Sequence, residues 1–477
     1  MYLAVDLGTQ GPKVAAIGDD GATLARSFVP VTTLWGDNGL VTQDANEWWA
    51  GIASQVRAMR SVIGEHELQT VAITGQYGST VPVGHDGEAS GPCLLWPTRS
   101  PTQTSHGAIG PNGHERVLRS DLTEIDARTA LLLEPVDYLG LRFTGEARAT
   151  PASMFPARLV PLGTTEPRYA ADLVAKEGRD PSRLPRLIAT GSILGTVSPE
   201  AAGELAIAAG APVVAGIPDL HSAYLGSGAL ELDRVHQVLS STSWMGLSVE
   251  RPHGDAVQQI TTVPGIGPGH LLIENSQRAA GIALDWLANL LHDQLAAPVR
   301  DAHRAIDAAA ARVPPGARGV MFAPWLNGER TPLNDNRLRG GLIGLSPTSG
   351  RAEIARAVLE GIAFNSRMLL GSIRQLTGLA LDEITMIGRC SELDALCQIS
   401  ADVLAVPIHR VAEPSLANLR GAAMFGALAI GRLELGEGAG WVRIEREFTP
   451  DPTACSIYDE LFQRFRALPG QPAFSRP

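Results

Sequence analysis

The sequence is almost without lysine. Lys13 and Lys176 are the two lysines among 39 basic residues, so arginine fills every other cationic position and each lysine asks for a reason. Positive charge is itself short. Asp and Glu number 50, the formal net charge is −11, and no basic run occurs, which argues against nucleic acid and anionic membrane as partners. Cysteine is scarce too. Cys93, Cys390, Cys397 and Cys455 make no C-x-x-C pair and no zinc-like spacing with histidine, a usage that fits reduced thiols in the cytoplasm. No window offers the roughly 18 uncharged apolar residues of a membrane span. The first residues lack a basic segment followed by a signal-like apolar stretch, so export is not expected. An anionic nucleotide would need a local site of backbone amides, hydroxyls, a few cations and a metal.

What is present is a chain of 477 residues with 44% hydrophobic content, enough for more than one domain, each with its own core. Tyr2–Leu7 is apolar except at Asp6, the pattern of a strand buried on both faces. Val14–Ile17 resumes after Gly8, Thr9 and Gly11, so a β-hairpin opens the chain. Glu47–Val62 has a helical period through Trp48, Ile52, Val56, Met59 and Val62. Val71–Thr74 is a short buried strand ending at Gly75-Gln76, and Ser100–Gly113 reads as a surface loop. The strand Pro212–Gly216 stops at Ile217-Pro218-Asp219, ahead of a small-residue helix over Ser222–Leu230. A carboxylate where a buried strand gives way to a helix is a common catalytic placement.

The opening pattern then returns. His236–Leu239 and Trp244–Val249 flank a turn of Ser240, Ser241, Thr242 and Ser243. Two hydroxyl-bearing hairpins half a chain apart predict two similar α/β domains, residues 1–231 and 232–477. In the second, helices are expected over Ala279–Leu291, Arg351–Leu376 and Asn418–Ile430, and a strand over Glu383–Ile387. Ser391, with Asp394 three residues on, reads as a helix cap close to a capping box.

A Gly-Thr turn after a buried strand presents N–H groups and a hydroxyl to an anion. A carboxylate just before it can hold a divalent cation that carries the anion, and lysine adds a compact point charge. Asp6, Thr9 and Lys13 therefore read either as a Mg-nucleotide half-site or as an ordinary hairpin with an exposed lysine. Two such hairpins could grip a polyphosphate, and phosphoryl transfer then needs little beyond positioning, charge neutralisation and a base. Asp219 is the candidate base; the alternative for it is a structural carboxylate at a helix start.

These segments carry a resemblance. DLGTQGPK (Asp6–Lys13) resembles the first phosphate motif of the FGGY family of carbohydrate kinases, and the pattern is similar to its xylulokinase-like members. TQDANEWW (Thr42–Trp49), ITGQYG (Ile73–Gly78), VDYLGLRFTGE (Val136–Glu146) and VVAGIPDLHSAYLGSG (Val213–Gly228) follow in the family's order. APWLNGERTP (Ala323–Pro332), GGLIGLS (Gly340–Ser346) and RAVLEGIAF (Arg356–Phe364) form the longest block. The resemblance implies two actin-like, ribonuclease-H-like α/β domains with the active site in the interdomain cleft. It implies ATP and Mg²⁺, and a small sugar or polyol as acceptor. It makes residues 1–231 the sugar-binding domain with the first phosphate hairpin and 232–477 the nucleotide-binding domain. It puts Asp219 at the base position and Asp6 at the metal. Gln76, Tyr77, Trp96, Arg99 and Asp219 fall at the acceptor. Gly8, Thr9, Lys13, Ser241, Thr242, Ser243, Gly388 and Arg389 fall at the nucleotide.

The chain also departs from the pattern. Tyr77 stands where methionine is frequent, Gly78 where xylulokinases have histidine, and Leu220 where asparagine often follows the catalytic aspartate. Trp96-Pro97-Thr98-Arg99 replaces a W-x-D-x-R segment, and the stretch 100–130 looks shorter than the family's. Ser241-Thr242-Ser243 replaces G-T-S, and Gly388-Arg389-Cys390-Ser391 replaces a slim G-G-G-A adenosine loop, so that two side chains are expected to project there. These changes support a rival, a catalytically weak sugar- or nucleotide-binding protein on the same scaffold. Retained Asp6, Thr9, Lys13 and Asp219 speak for the kinase. The sequence leaves monomer and homodimer both open.

Overall fold

The computed structural model describes residues 1–36, 39–98, 127–157, 159–163, 166–176, 179–254, 258–267, 269–291 and 299–474. They fall into two compact units, Met1–Leu230 with Val263–Leu272 and Asn418–Val442, and Glu231–Thr262 with Ile273–Ala417 and Arg443–Pro477. The chain first changes unit at Leu230–Glu231, and two later stretches return to the first unit. The loop expected over Ser100–Gly113 lies outside the described residues.

The first unit is built on a sheet of β1 (Tyr2–Gly8), β2 (Gly11–Ile17), β3 (Thr23–Phe28), β4 (Thr70–Gly75), β5 (Ile193–Thr196), β6 (Pro212–Val214) and β7 (Ile217–Pro218). Its order is β5-β6-β4-β1-β2-β3, with β7 also on β4. The apolar run of β1 needs cover on both faces, and Leu3, Ala4, Val5 and Leu7 are fully buried. β1 and β2 pair antiparallel down to Gly8↔Gly11, so the turn is Thr9-Gln10. Gly11 has φ +132°, and a Cβ there would lie 2.2 Å from the Val29 carbonyl, so only glycine closes this turn. β4 runs parallel to β1, and β7 parallel to β4.

Helix α1 (Ala45–Ala58) starts where the Asp44 side chain accepts from the Asn46 N–H, and it buries Trp48, Trp49, Ile52 and Val56 at helical spacing. The periodic stretch does not make one helix. A second, Arg60–Gly64, begins after Met59. Helix α2 spans Pro135–Thr144. Helix α3 spans Asp219–Ser227, so it begins at Asp219 itself and not at Ser222 as its composition suggested.

The second unit repeats the hairpin. Its sheet holds β8 (Val235–Leu239), β9 (Ser243–Val249), β10 (Thr261–Pro264), β11 (Leu271–Gln277), β12 (Ile384–Ile387), β13 (Ile408–Val411) and β14 (Ile444–Phe448), in the order β10-β11-β9-β8-β12-β13-β14. β8 and β9 pair antiparallel down to Leu239↔Ser243, and β12 runs parallel to β8. In both units the hairpin's first strand is therefore flanked by its partner and by a parallel strand. Helices α4 (Gly281–Leu290), α5 (Arg351–Thr377) and α6 (Asp394–Leu404) pack around this sheet. On α5, Arg356 donates to Glu360 at 2.8 Å and to the Tyr458 hydroxyl at 2.7 Å, and all three are buried.

The cap expected at Ser391 is not formed. Arg389–Glu392 is a turn of 3₁₀ helix, and the Ser391 hydroxyl donates to the Gly388 carbonyl at 2.6 Å. The first amides of α6 go to Asp307 instead, whose two carboxylate oxygens accept from Ala395 N and Leu396 N at 3.1 Å each. A cap supplied from a distant helix cannot be read from local spacing.

The small-residue helix α7 (Ala417–Ala429) packs as closely as its composition promised. A Cβ on Gly421 would lie 1.8 Å from the Ser222 carbonyl, and one on Gly426 would lie 2.7 Å from Thr70 Cγ2. Gly421→Ala should therefore lower stability by about 1–3 kcal/mol through overpacking. Urea unfolding would measure it, and an unchanged midpoint would show that α7 shifts freely.

Candidate active site

In the first unit, three parallel strands stop side by side. Leu7 of β1 is paired with Gly75 of β4, and Pro218 of β7 with the same Gly75. The next residues out are Gly8-Thr9, Gln76 and Asp219. Ends of parallel strands are where open α/β sheets bind ligands. The sequence therefore converges on one place from three stretches more than sixty residues apart in the chain.

The turn of the first hairpin is held from several sides. Lys13 Nζ lies 2.8 Å from Asp6 Oδ2; the lysine side chain is 38% exposed and the aspartate 4%. Asp6 and Lys13 are direct cross-strand partners in the hairpin register. Gln43 Nε2 donates to the Thr9 carbonyl at 2.7 Å and to Thr33 Oγ1 at 2.8 Å, while Trp48 Nε1 donates to Gln43 Oε1 at 3.0 Å. Trp96 Nε1 donates to Thr9 Oγ1 at 3.2 Å.

Gln76 is 3% exposed, and among the described residues neither its carboxamide nitrogen nor its oxygen has a hydrogen-bond partner. Unpaired buried amides are costly and rare. Tyr77 is half-buried, and Gly78 follows at φ +71°, a conformation that disfavours any side chain. The loop is clamped behind. Ser79 N donates to Glu134 Oε2 at 3.2 Å. Glu134 is fully buried, and burial pushes its carboxyl well above the usual range, opposed by the amides of Ser79 and Gly78. Glu134, Ser79 and Gln43 escaped the sequence reading; a lone acid closing the apolar run LLLE was the signal for the first.

Asp219 opens α3 with Pro218 at the cap position and is half-buried. The first turn of a helix favours negative charge. Its carbonyl accepts from Ser222 Oγ at 3.0 Å, and Ser222 Oγ accepts from Thr74 Oγ1 at 2.9 Å. Next to it, Leu220 is buried and His221 fully so, with Nε2 2.7 Å from the Pro264 carbonyl. Burial holds the His221 imidazole down to about 4, so it is neutral at physiological pH. Arg99 lies outside the described residues.

In the second unit, the turn Ser240-Ser241-Thr242 sits against the start of α4. Gly281 N donates to the Ser240 carbonyl at 2.7 Å, and Ala280 N and Ile282 N donate to that of Ser241 at 3.2 and 3.1 Å. Ser243 is buried, and its hydroxyl accepts from Gln237 Nε2 at 3.0 Å; it serves the hairpin, while Ser240, Ser241 and Thr242 are half-buried. Gly388, with φ +94°, crosses directly over β8, where a Cβ would lie 2.5 Å from the Leu239 carbonyl. Of the two side chains expected to project, Arg389 and Cys390, the second does not. The Cys390 thiol is buried 3.4 Å from the Ser240 carbonyl, burial pushes it up to about 12, and Ser391 turns back on Gly388. Arg389 alone is half-exposed. No group of three or more His, Cys, Asp or Glu among the described residues could form a protein-only metal cage.

Comparison with known proteins identifies the family. The family models for the N-terminal and C-terminal domains of the FGGY carbohydrate kinases match residues 1–119 and 241–430. A xylulose kinase of Escherichia coli (strain K12) is 26% identical over 498 residues, covering 98% of each chain. An erythritol kinase of Brucella abortus (strain 2308) is 25% identical over 512 residues, covering 98% of this chain and 95% of that one. The crystal structure of a xylulose kinase from Rhodospirillum rubrum superposes with a TM-score of 0.84 at 23% identity, covering 98% of both. The chain belongs to the FGGY family of carbohydrate kinases, with the paired actin-like α/β architecture of that fold.

Proposed function

We propose that this ATP-dependent kinase phosphorylates a hydroxyl of a small sugar or polyol bound at Gln76, Tyr77, Trp96, Arg99 and Asp219, with Asp219 as the base. The observation that carries this reading is the buried Gln76 carboxamide. Among the described residues its donor and acceptor have no partner, and it lies one residue beyond a strand end that adjoins Asp219. A polyhydroxy acceptor supplies both complements. Gly8, Thr9 and Lys13 on the first hairpin, and Ser241, Thr242, Ser243, Gly388 and Arg389 in the second unit, bind the nucleotide; Ser243 does so by shaping its turn. Residues 1–231 form the acceptor-binding domain and 232–477 the nucleotide-binding domain.

The chemistry is a balanced transfer. The acceptor oxygen attacks the γ-phosphorus, the bond to the β–γ bridging oxygen breaks, and ADP leaves. Asp219 takes the acceptor's proton. Mg²⁺ normally binds through one or two carboxylates plus substrate phosphates, and Asp6 fits that mode, since Lys13 occupies its Oδ2 alone. When bound, the ion neutralises phosphate charge. No further carboxylate is required of the protein. Four free thiols and ATP as donor support a cytoplasmic setting for this reading. Residue 78 makes no side-chain contact with the acceptor, so this pocket recognises its sugar differently from the histidine-bearing pattern.

Turnover of ATP against a panel of ketopentoses, hexoses and linear polyols tests the assignment. Asp219→Asn should bind the preferred acceptor normally and lose about 10²–10⁴ in kcat; near-full turnover would remove Asp219 from the base role. Lys13→Arg should lower activity well below that of Lys176→Arg, whose residue is exposed at the end of a short helix. Arginine's fork engages both oxygens of a carboxylate, which would close Asp6 to the ion, whereas the ammonium leaves one oxygen open. Equal rates in the two variants would make Lys13 a compositional accident. Arg389→Gly should weaken ATP binding by about tenfold, the size of one charge-assisted contact; tighter ATP binding would mark the guanidinium as an obstruction.

A further inference from the structure

The Trp96 segment resembles part of a sugar pocket, yet its indole N–H is spent on Thr9 Oγ1, 3.2 Å away. The backbone N–H of Trp96 donates to Ser79 Oγ at 3.0 Å. Ser79 is fully buried, and its own N–H donates to the buried Glu134 carboxylate at 3.2 Å. One residue thus joins the phosphate turn to the loop that leaves Gln76. A hydroxyl has one proton and two lone pairs. With the indole on one lone pair, the Thr9 proton must point elsewhere, and the hydroxyl becomes a directed donor. The Thr9 carbonyl is held by Gln43 at 2.7 Å, so the backbone beneath that hydroxyl is fixed as well. Donors fixed in advance toward developing charge cost no reorganisation when the reaction occurs.

We propose that Trp96 is a positioning residue whose indole N–H orients the Thr9 hydroxyl toward the ATP phosphates and ties that orientation to the Gln76 loop, so that acceptor and nucleotide bind with positive coupling. The inference rests on the kinase reading above. Coupling of this kind is reciprocal and typically roughly 5–150-fold. An acceptor lodged against the loop steadies Trp96, and Trp96 steadies Thr9.

The test measures binding of the imido analogue of ATP with Mg²⁺, alone and with the acceptor that turns over fastest in the panel. In the unmodified enzyme the acceptor should tighten the analogue by about fivefold or more. Trp96→Phe keeps an aromatic ring and loses the N–H. It should bind the analogue about tenfold more weakly and show no tightening by acceptor. Thr9→Val should abolish the tightening too, and adding Trp96→Phe to it should cost little more, because the two share one interaction. Fully additive losses would overturn the proposal, as would tightening retained in Trp96→Phe. Should Trp96→Phe fail to fold, Thr9→Val and Ser79→Ala each break one end of the link, and retained coupling in either overturns it. An enzyme that turns over sugars while Trp96→Phe behaves as unmodified loses this inference alone. An enzyme that turns over none loses the kinase reading and this inference with it.

Discussion

Gly75 is the point on which the first unit's site depends. Leu7 pairs with it on one side and Pro218 on the other, and a Cβ on Gly75 would lie 2.7 Å from the Leu7 carbonyl. A side chain there would push β1 and β4 apart where Thr9, Gln76 and Asp219 emerge. The register that brings them together is protected by burial. β1 and β4 are apolar on successive positions and covered on both faces, and a slip would misplace every paired residue along both strands. Specificity of place therefore comes from an unremarkable run of small and branched residues, not from the polar residues that do the work.

The polar groups divide into support and proposed site. Gln43 and Glu329 are buried and tied to partners: Gln43 donates to the Thr9 carbonyl and Thr33 and accepts from Trp48, and Glu329 accepts from the amides of Arg278 and Arg330 and from Asn365. Buried polar networks of this kind rigidify when complete. Gln76 is buried and incomplete. Neither of its carboxamide atoms has a partner among the described residues, and on the proposed reading the acceptor supplies both.

How far the sequence could be read follows from this division. The two hairpins, the strand before Gln76 and the strand-to-helix junction at Asp219 were legible, because apolar runs, glycine turns and helical periods are local signals. Asp219 opening α3 was missed by a few residues, since Pro218 starts helices as readily as it ends strands. The support was not legible. Asp307 capping α6, Trp96 reaching Thr9 and Glu134 clamping Ser79 are contacts across long sequence separations, 87 residues in the case of Trp96 and Thr9. The expectation that Cys390 projects from its loop failed for the same reason. Its thiol lies against the Ser240 carbonyl, a direction set by tertiary packing, while Arg389, the other side chain expected there, is half-exposed.

The two hairpins reach one electrostatic result by different means. In the first, the Thr9 carbonyl is occupied by Gln43 and a lone pair of its hydroxyl by Trp96. In the second, the carbonyls of Ser240 and Ser241 are occupied by amides at the start of α4, and Ser240 also by the Cys390 thiol. Side chains do in one unit what a helix N-terminus does in the other. A turn whose carbonyls are engaged has amides and hydroxyls to turn toward an anion, whatever the sign of the whole molecule. On the proposed reading, that is how a chain of net charge −11 would hold a polyphosphate with so little lysine: backbone amides and hydroxyls supply the positive field, and Lys13, paired to Asp6 at 2.8 Å, keeps a buried carboxylate from opposing it.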